Sequence, residues 1–275
     1  MSRFSLLLLS AVLIFSGTIG AEPATVTKPP MAGAQYHHVH MRAHKPEEAA
    51  AWYAGLPGGE RTRVGPWEAV RFRGVALLFY PAAQPGADGL AAPDELKSSE
   101  GSAIDHLGFS FANLDEGLNR FLTMGAEVVQ PPTRLPGSML YAVVRDPWGQ
   151  PIRVLEDPAL TGFHHVHLAS PDPDRTRQWF QRFFGGEKGR FQGFPALRFD
   201  DMWLLVSASE GDVAPSMYRM IDHLGWSVSA MDEQMLRVKA DGVRVIRDKF
   251  LFGGIRNIAF IESPSGVLIE ILEAE

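Results

Sequence analysis

Four short stretches hold most of the side chains able to do chemistry. Two read His37-His38-Val39-His40 and His164-His165-Val166-His167, and two read Asp105-His106-Leu107-Gly108 and Asp222-His223-Leu224-Gly225. Imidazoles bind metals, donate or accept hydrogen bonds, and carry protons near neutral pH. The chain has no cysteine, so disulfides and thiolate sites are excluded and any metal must rest on His, Asp and Glu. In an extended strand, residues two apart share a face about 6.5–7 Å apart. His165 and His167 are therefore expected to face one way, with His37 and His164 turned away as packing or surface residues.

These stretches are repeats of one another. The His-His-Val-His pair is offset by 127 residues, and that register holds through Trp52/Trp179, Gly58-Gly59-Glu60/Gly185-Gly186-Glu187 and Arg71-Phe72/Arg198-Phe199. The Asp-His-Leu-Gly pair is offset by 117, as are Pro147-x-Gly149 and Pro264-x-Gly266. The first copy therefore has a longer loop in the Pro/Gly/Ala-rich stretch from Pro81 to Ser102. Each copy is also doubled internally. A histidine-bearing alternating run precedes a stretch with apolar residues near 3.6 spacing, about Pro46 to Ala54 or Leu114 to Met124. Segments rich in aromatic and β-branched residues follow, such as Ala69–Phe72, Val75–Tyr80, Met139–Arg145 and Pro151–Leu155, and read as strands. The chain is expected to be α+β, with four βαβββ half-units.

Met1 to Arg3 carry a positive charge, Phe4 to Phe15 are almost wholly apolar, and small residues follow up to Ala21. That order is expected of a secretory signal peptide over 1–21, directing a periplasmic or secreted protein. The apolar run, about 16 residues, is short for a membrane span of about 20. Residues 22–35 read as a Pro/Thr/Ala-rich linker, ahead of one module at 36–158 and a second at 163–273. The net charge of -6 offers no electrostatic footprint for nucleic acid or an anionic membrane.

The order of an HHV or DHLG opening strand and a D/S-P-x-G closing turn, occurring twice, resembles the vicinal oxygen chelate superfamily. That group includes glyoxalase I, bleomycin resistance proteins and extradiol dioxygenases. The resemblance covers about Tyr36 to Leu272 and implies two tandem cup-shaped modules of paired half-units. It also implies a divalent ion held by two opening-strand histidines and a carboxylate four residues after the turn glycine. Two histidines and a carboxylate would leave positions open for a small oxygen-rich substrate to chelate, and the ion would act as a Lewis acid.

In the second copy these positions are His165, His223 and Glu270, the expected metal ligands, with His167 placed for an acid/base role or a structural one. In the first copy the matching position is Arg153, while Glu156 lies three further on and so faces the other way. The first module is therefore expected to be metal-free, with Arg153, His38 and His106 open to an anionic ligand. The ion could be Zn, Mn or Fe. Glyoxalase I is similar but uses a further carboxylate on the last strand of the first half-unit, here Met202 to Val206, which has none. Extradiol dioxygenases need a tyrosine and a histidine where this chain has Phe260 and Leu251. What the resemblance leaves is a metal-dependent lyase, isomerase or transferase. The alternatives are a metal-free protein that sequesters a small molecule, and an interaction protein with two vestigial cups. Trp179, Phe194, Trp203 and Trp226 could line a pocket, although core packing is the commoner use of such residues.

Overall fold

The computed structural model describes residues 33–135 and 137–274. The expected leader and most of the linker lie outside them. Among the described residues no helix is long and apolar enough to cross a membrane.

Four half-units follow in order, each a strand, a helix and three strands. The first has β1 (Gln35–Ala43), α1 (Pro46–Tyr53), β2 (Glu60–Val64), β3 (Trp67–Phe72) and β4 (Val75–Pro81). The second has β5 (Ile104–Phe111), α2 (Leu114–Thr123), β6 (Glu127–Arg134), β7 (Leu140–Arg145) and β8 (Pro151–Glu156). The third has β9 (Gly162–Ser170), α3 (Pro173–Phe184), β10 (Glu187–Phe191), β11 (Phe194–Phe199) and β12 (Met202–Ala208). The fourth has β13 (Ile221–Val228), α4 (Met231–Ala240), β14 (Arg244–Phe252), β15 (Arg256–Glu262) and β16 (Leu268–Glu273). Local chemistry accounts for the helix starts. Asn113 caps α2 by accepting from the Glu116 amide at 3.1 Å, and Asp172 caps α3 by accepting from that of Arg175 at 3.0 Å, with Pro173 in the first turn.

The strands form two eight-stranded sheets, and each sheet combines half-units from both sequence copies. One runs β14-β15-β16-β13-β1-β4-β3-β2 and joins the fourth half-unit to the first. The other runs β10-β11-β12-β9-β5-β8-β7-β6 and joins the third to the second. The segments 36–158 and 163–273 are thus repeats in sequence, while each cup draws one half-unit from either segment. Connection length explains the exchange. Only residues 157–161 separate β8 from β9, and five residues reach about 17 Å at most, so the third half-unit stays beside the second. Residues 82–103 between β4 and β5, and the shorter run 209–220 between β12 and β13, each cross from one sheet to the other.

A contiguous apolar core binds one face of both sheets to the helices, including Val39, Phe79, Phe109, Val166, Phe180, Leu224 and Ile269. Trp226 belongs to it, stacked on Phe184 at 4.5 Å, and Trp179 packs against it, so neither lines a cup. Phe194 is exposed. The opposite face of each sheet carries its own small cluster: Ile258, Phe260, Leu268 and Leu272 in the first cup, and Leu155, Phe191, Ala196 and Leu205, with Trp203 against them, in the second.

Candidate metal centre

The first cup gathers His38, His40, His223 and Glu270, all buried, with one ligand atom from each lying within 4.8 Å of the others. Backbone register brings them there. Across the antiparallel β1–β13 seam His38 lies opposite Gly225 and His40 opposite His223, while Gly225 lies beside Glu270 on β16. His38, Gly225 and Glu270 thus form one row over three strands. Gly225 has no side chain, so the His38 ring lies across its backbone. A Cβ added at 225 would meet the ring at 2.1 Å. Glu270 faces the cup because the Ser263-Pro264-Ser265-Gly266 turn sets the phase of β16. Gly266 adopts φ 85°, a left-handed conformation suited to glycine, and the Ser263 hydroxyl accepts from the Val267 amide at 3.0 Å.

Two β-bulges give the histidines their partners. The β1–β13 register shifts at His37 and again at Asp222, and a bulge re-aims the side chain of its extra residue. Asp222 Oδ1 therefore accepts from the adjacent His223 Nδ1 at 2.7 Å. Asp222 Oδ2 is held in turn by Arg42 Nε at 2.7 Å and the Tyr218 amide at 2.7 Å. With Nδ1 committed as a donor, His223 Nε2 faces inward and offers its lone pair once its proton is displaced, a carboxylate–histidine arrangement that orients metal ligands. His37 does not point away from the site as the alternation predicts. Its Nδ1 lies 2.9 Å from that of His38, leaving His38 Nε2 to face Glu270.

The spacings fit an ion. Glu270 Oε2 is 3.1 Å from both His38 Nε2 and His223 Nε2, and His40 Nδ1 is 3.0 Å from His223 Nε2. Two ligands at right angles, each about 2.1 Å from a metal, stand about 3.0 Å apart. His38 Nε2 and His40 Nε2 are buried without a hydrogen-bond partner, so the short approach of His38 to Glu270 is not a well-aligned hydrogen bond. Burial would raise the Glu270 carboxyl, but the close approach of His223 and His38 outweighs it and holds the group well below the usual range. Burial likewise opposes charge on His223, yet its contacts with Asp222 and Glu270 lift it to about 9. Burial lowers His38 and, further, His40. The site therefore holds a carboxylate, neutral imidazoles and one proton that a divalent ion would displace.

The sheet order separates the residues expected to act together. His223 and Glu270 meet, but His165 and His167 stand in the second cup with His106. The third ligand position is filled by His38, the repeat partner of His165, because the cup is closed by the first half-unit and not the third. His167 accordingly has no place above this centre; its Nε2 contacts Ser207 Oγ at 3.0 Å, and His40 holds its equivalent position here. Glu156 Oε2 accepts from the Leu114 amide at 3.1 Å, at the start of α2. Phe260 lies 5.4 Å from the His223 ring, inside the cup but without a hydroxyl, and Leu251 is exposed. His38, expected beside Arg153 and His106, lies in the other cup from them, and His40, Asp222 and Arg42 are site residues that the sequence reading did not place. The doubled Asp-His-Leu-Gly motif was the available signal for Asp222.

An eight-stranded cup built from two βαβββ units, with histidines on both opening strands and a glutamate on the closing strand, defines the class. The chain belongs to the Glyoxalase/Bleomycin resistance protein/Dioxygenase superfamily, whose family model matches residues 19–154. The fold is similar to that of glyoxalase I from Zea mays, at a TM-score of 0.64 and 13% identity, covering 87% of this chain and 92% of that one. It is also similar to a candidate dioxygenase from Bacillus subtilis subsp. subtilis str. 168, at a TM-score of 0.60 and 17% identity, covering 90% of this chain and 86% of that one. At such identities the likeness is one of fold. No curated protein sequence matches the chain.

Proposed function

We propose that the first cup holds one divalent ion on His38, His223 and Glu270, with His40 as a fourth donor or a proton carrier. The protein is then an exported metal-dependent lyase, isomerase or transferase acting on a small oxygen-rich molecule. The observation that carries this reading is the set of 3.0–3.1 Å separations among four buried donors from three strands. When bound, the ion supplies Lewis-acid polarisation of substrate oxygens. Asp222 fixes the His223 tautomer, and Arg42 fixes Asp222. His40, whose burial keeps it neutral, can accept a proton at Nε2 from a substrate carbon or hydroxyl and return it elsewhere. Tyr80 packs on His40 at 4.3 Å between ring centres and limits its swing. Phe260 gives no proton, which agrees with isomerisation or elimination better than with ring cleavage.

Elemental analysis of the purified chain tests the assignment. Close to one zinc, manganese or iron ion per chain is expected, lost in Glu270→Ala and His38→Ala and retained in His165→Ala and Glu156→Ala. Retention in Glu270→Ala, or loss in His165→Ala with retention in His38→Ala, would overturn it.

A further inference from the structure

The second cup repeats the geometry of the first with one charge reversed. His165 lies opposite Gly108 and His106 opposite His167, while Gly108 lies beside Arg153 on β8. Arg153 therefore occupies the position that Glu270 holds in the first cup. The same bulges recur, at Asp105 and at His164. Asp105 Oδ2 accepts from His106 Nδ1 at 2.5 Å. Asp157 Oδ2 lies 3.3 Å from His164 Nε2, and His164 Nδ1 lies 2.9 Å from His165 Nδ1. Each carboxylate draws a proton onto the near side of its relay, which leaves a lone pair at His106 Nε2 and at His165 Nε2.

Those two nitrogens and Arg153 Nε are buried without a hydrogen-bond partner, as is His167 Nδ1. Among the described residues no carboxylate forms an ion pair with Arg153, and its guanidinium lies 5.0 Å over the Tyr141 ring. A guanidinium cannot ligate a metal and would repel one. A plain carboxylate would satisfy Arg153 but set its oxygens against two lone pairs. The missing occupant must bring acceptors for the guanidinium and a donor for the imidazoles on one small frame. Leu155, Phe191 and Leu205 supply an apolar wall beside them.

We propose that the second cup binds a small 2-hydroxy acid, its carboxylate on Arg153 and the one proton of its hydroxyl shared in a three-centre hydrogen bond between His106 Nε2 and His165 Nε2. Such a site needs no metal and is independent of the chemistry in the first cup. Buried polar groups left unpaired by the wrong ligand discriminate strongly, so the hydroxyl should matter as much as the carboxylate.

The test is calorimetric titration of the full-length Glu270→Ala chain, in which metal chelation in the first cup cannot contribute, with lactate and with propionate. Lactate is expected to bind one per chain, and propionate at least tenfold more weakly. Adding Arg153→Met is expected to weaken lactate at least tenfold while the folded melting profile is kept. Should that variant unfold, Arg153→Lys keeps the charge but loses the two-pronged contact, and weaker lactate binding is again expected. Equal affinity for lactate and propionate, no saturable lactate binding, or unchanged affinity in the arginine variants would overturn the proposal. So would stoichiometric zinc binding by the Glu270→Ala chain that disappears in His165→Ala, since the second cup would then be a metal site.

Discussion

Gly225→Ala is the most searching perturbation of the metal centre, because it changes no candidate ligand. The new Cβ would sit 2.1 Å from His38 Cε1. Ordinary contact begins near 3.4 Å, so the ring must retreat by about 1.3 Å, against a tolerance of about 0.2 Å in a metal–ligand bond. His38 is fully buried beneath neighbouring rings, and it cannot move that far and still share an ion with Glu270. Overpacking a core costs about 1–3 kcal/mol, and the displaced ligand should lower metal affinity by about 100-fold or more, by comparison with the 10–100-fold typical of losing an outer partner. Competition against a chromophoric chelator measures the affinity, and a melting curve measures the stability. Gly108→Ala is the matched control: its Cβ would meet His165 Cε1 at 1.9 Å in the second cup, so a comparable loss of stability is expected with metal affinity unchanged. Wild-type affinity in Gly225→Ala, or an equal fall in Gly108→Ala, would refute the placement of His38 over Gly225 as a ligand.

Asp222→Asn removes the carboxylate behind His223 while keeping every ligand, and should weaken metal binding about 10–100-fold in the same competition assay; unchanged affinity would show that Asp222 does not orient the ligand. Asp146, in the turn before β8, accepts from the Tyr53 hydroxyl at 2.9 Å and from the Trp148 and Gln150 amides, yet burial raises its carboxyl to about 6. Between pH 4 and 6 the folded chain then holds a proton that the unfolded chain has released, so this group makes stability fall as pH rises through that window. The melting temperature of Asp146→Asn should therefore gain on the wild type from pH 4 to pH 7, by about 1–3 kcal/mol in stability at most, and a difference independent of pH would contradict the raised carboxyl.

Much of this protein follows from residues alone. The repeat offsets, the strand-helix-strand order and the turn glycines identify four like units, because each unit must expose the same apolar faces to bury them. The phase of β16 also follows, since counting from Gly266 places Glu270 on the cup face and sets Arg153, not Glu156, at the matching place in β8. What sequence did not decide is which units close together. His38 and His165 are equivalent by repeat, and either satisfies every local rule for meeting His223. The five residues after β8 bias the choice, because their short reach keeps β9 beside β5 and leaves β1 to pair with β13. The bulges at His37, Asp105, His164 and Asp222 are likewise tertiary. They arise only when two particular strands pair, and they turn residues that alternation directs away from the cup into the partners that aim its histidines.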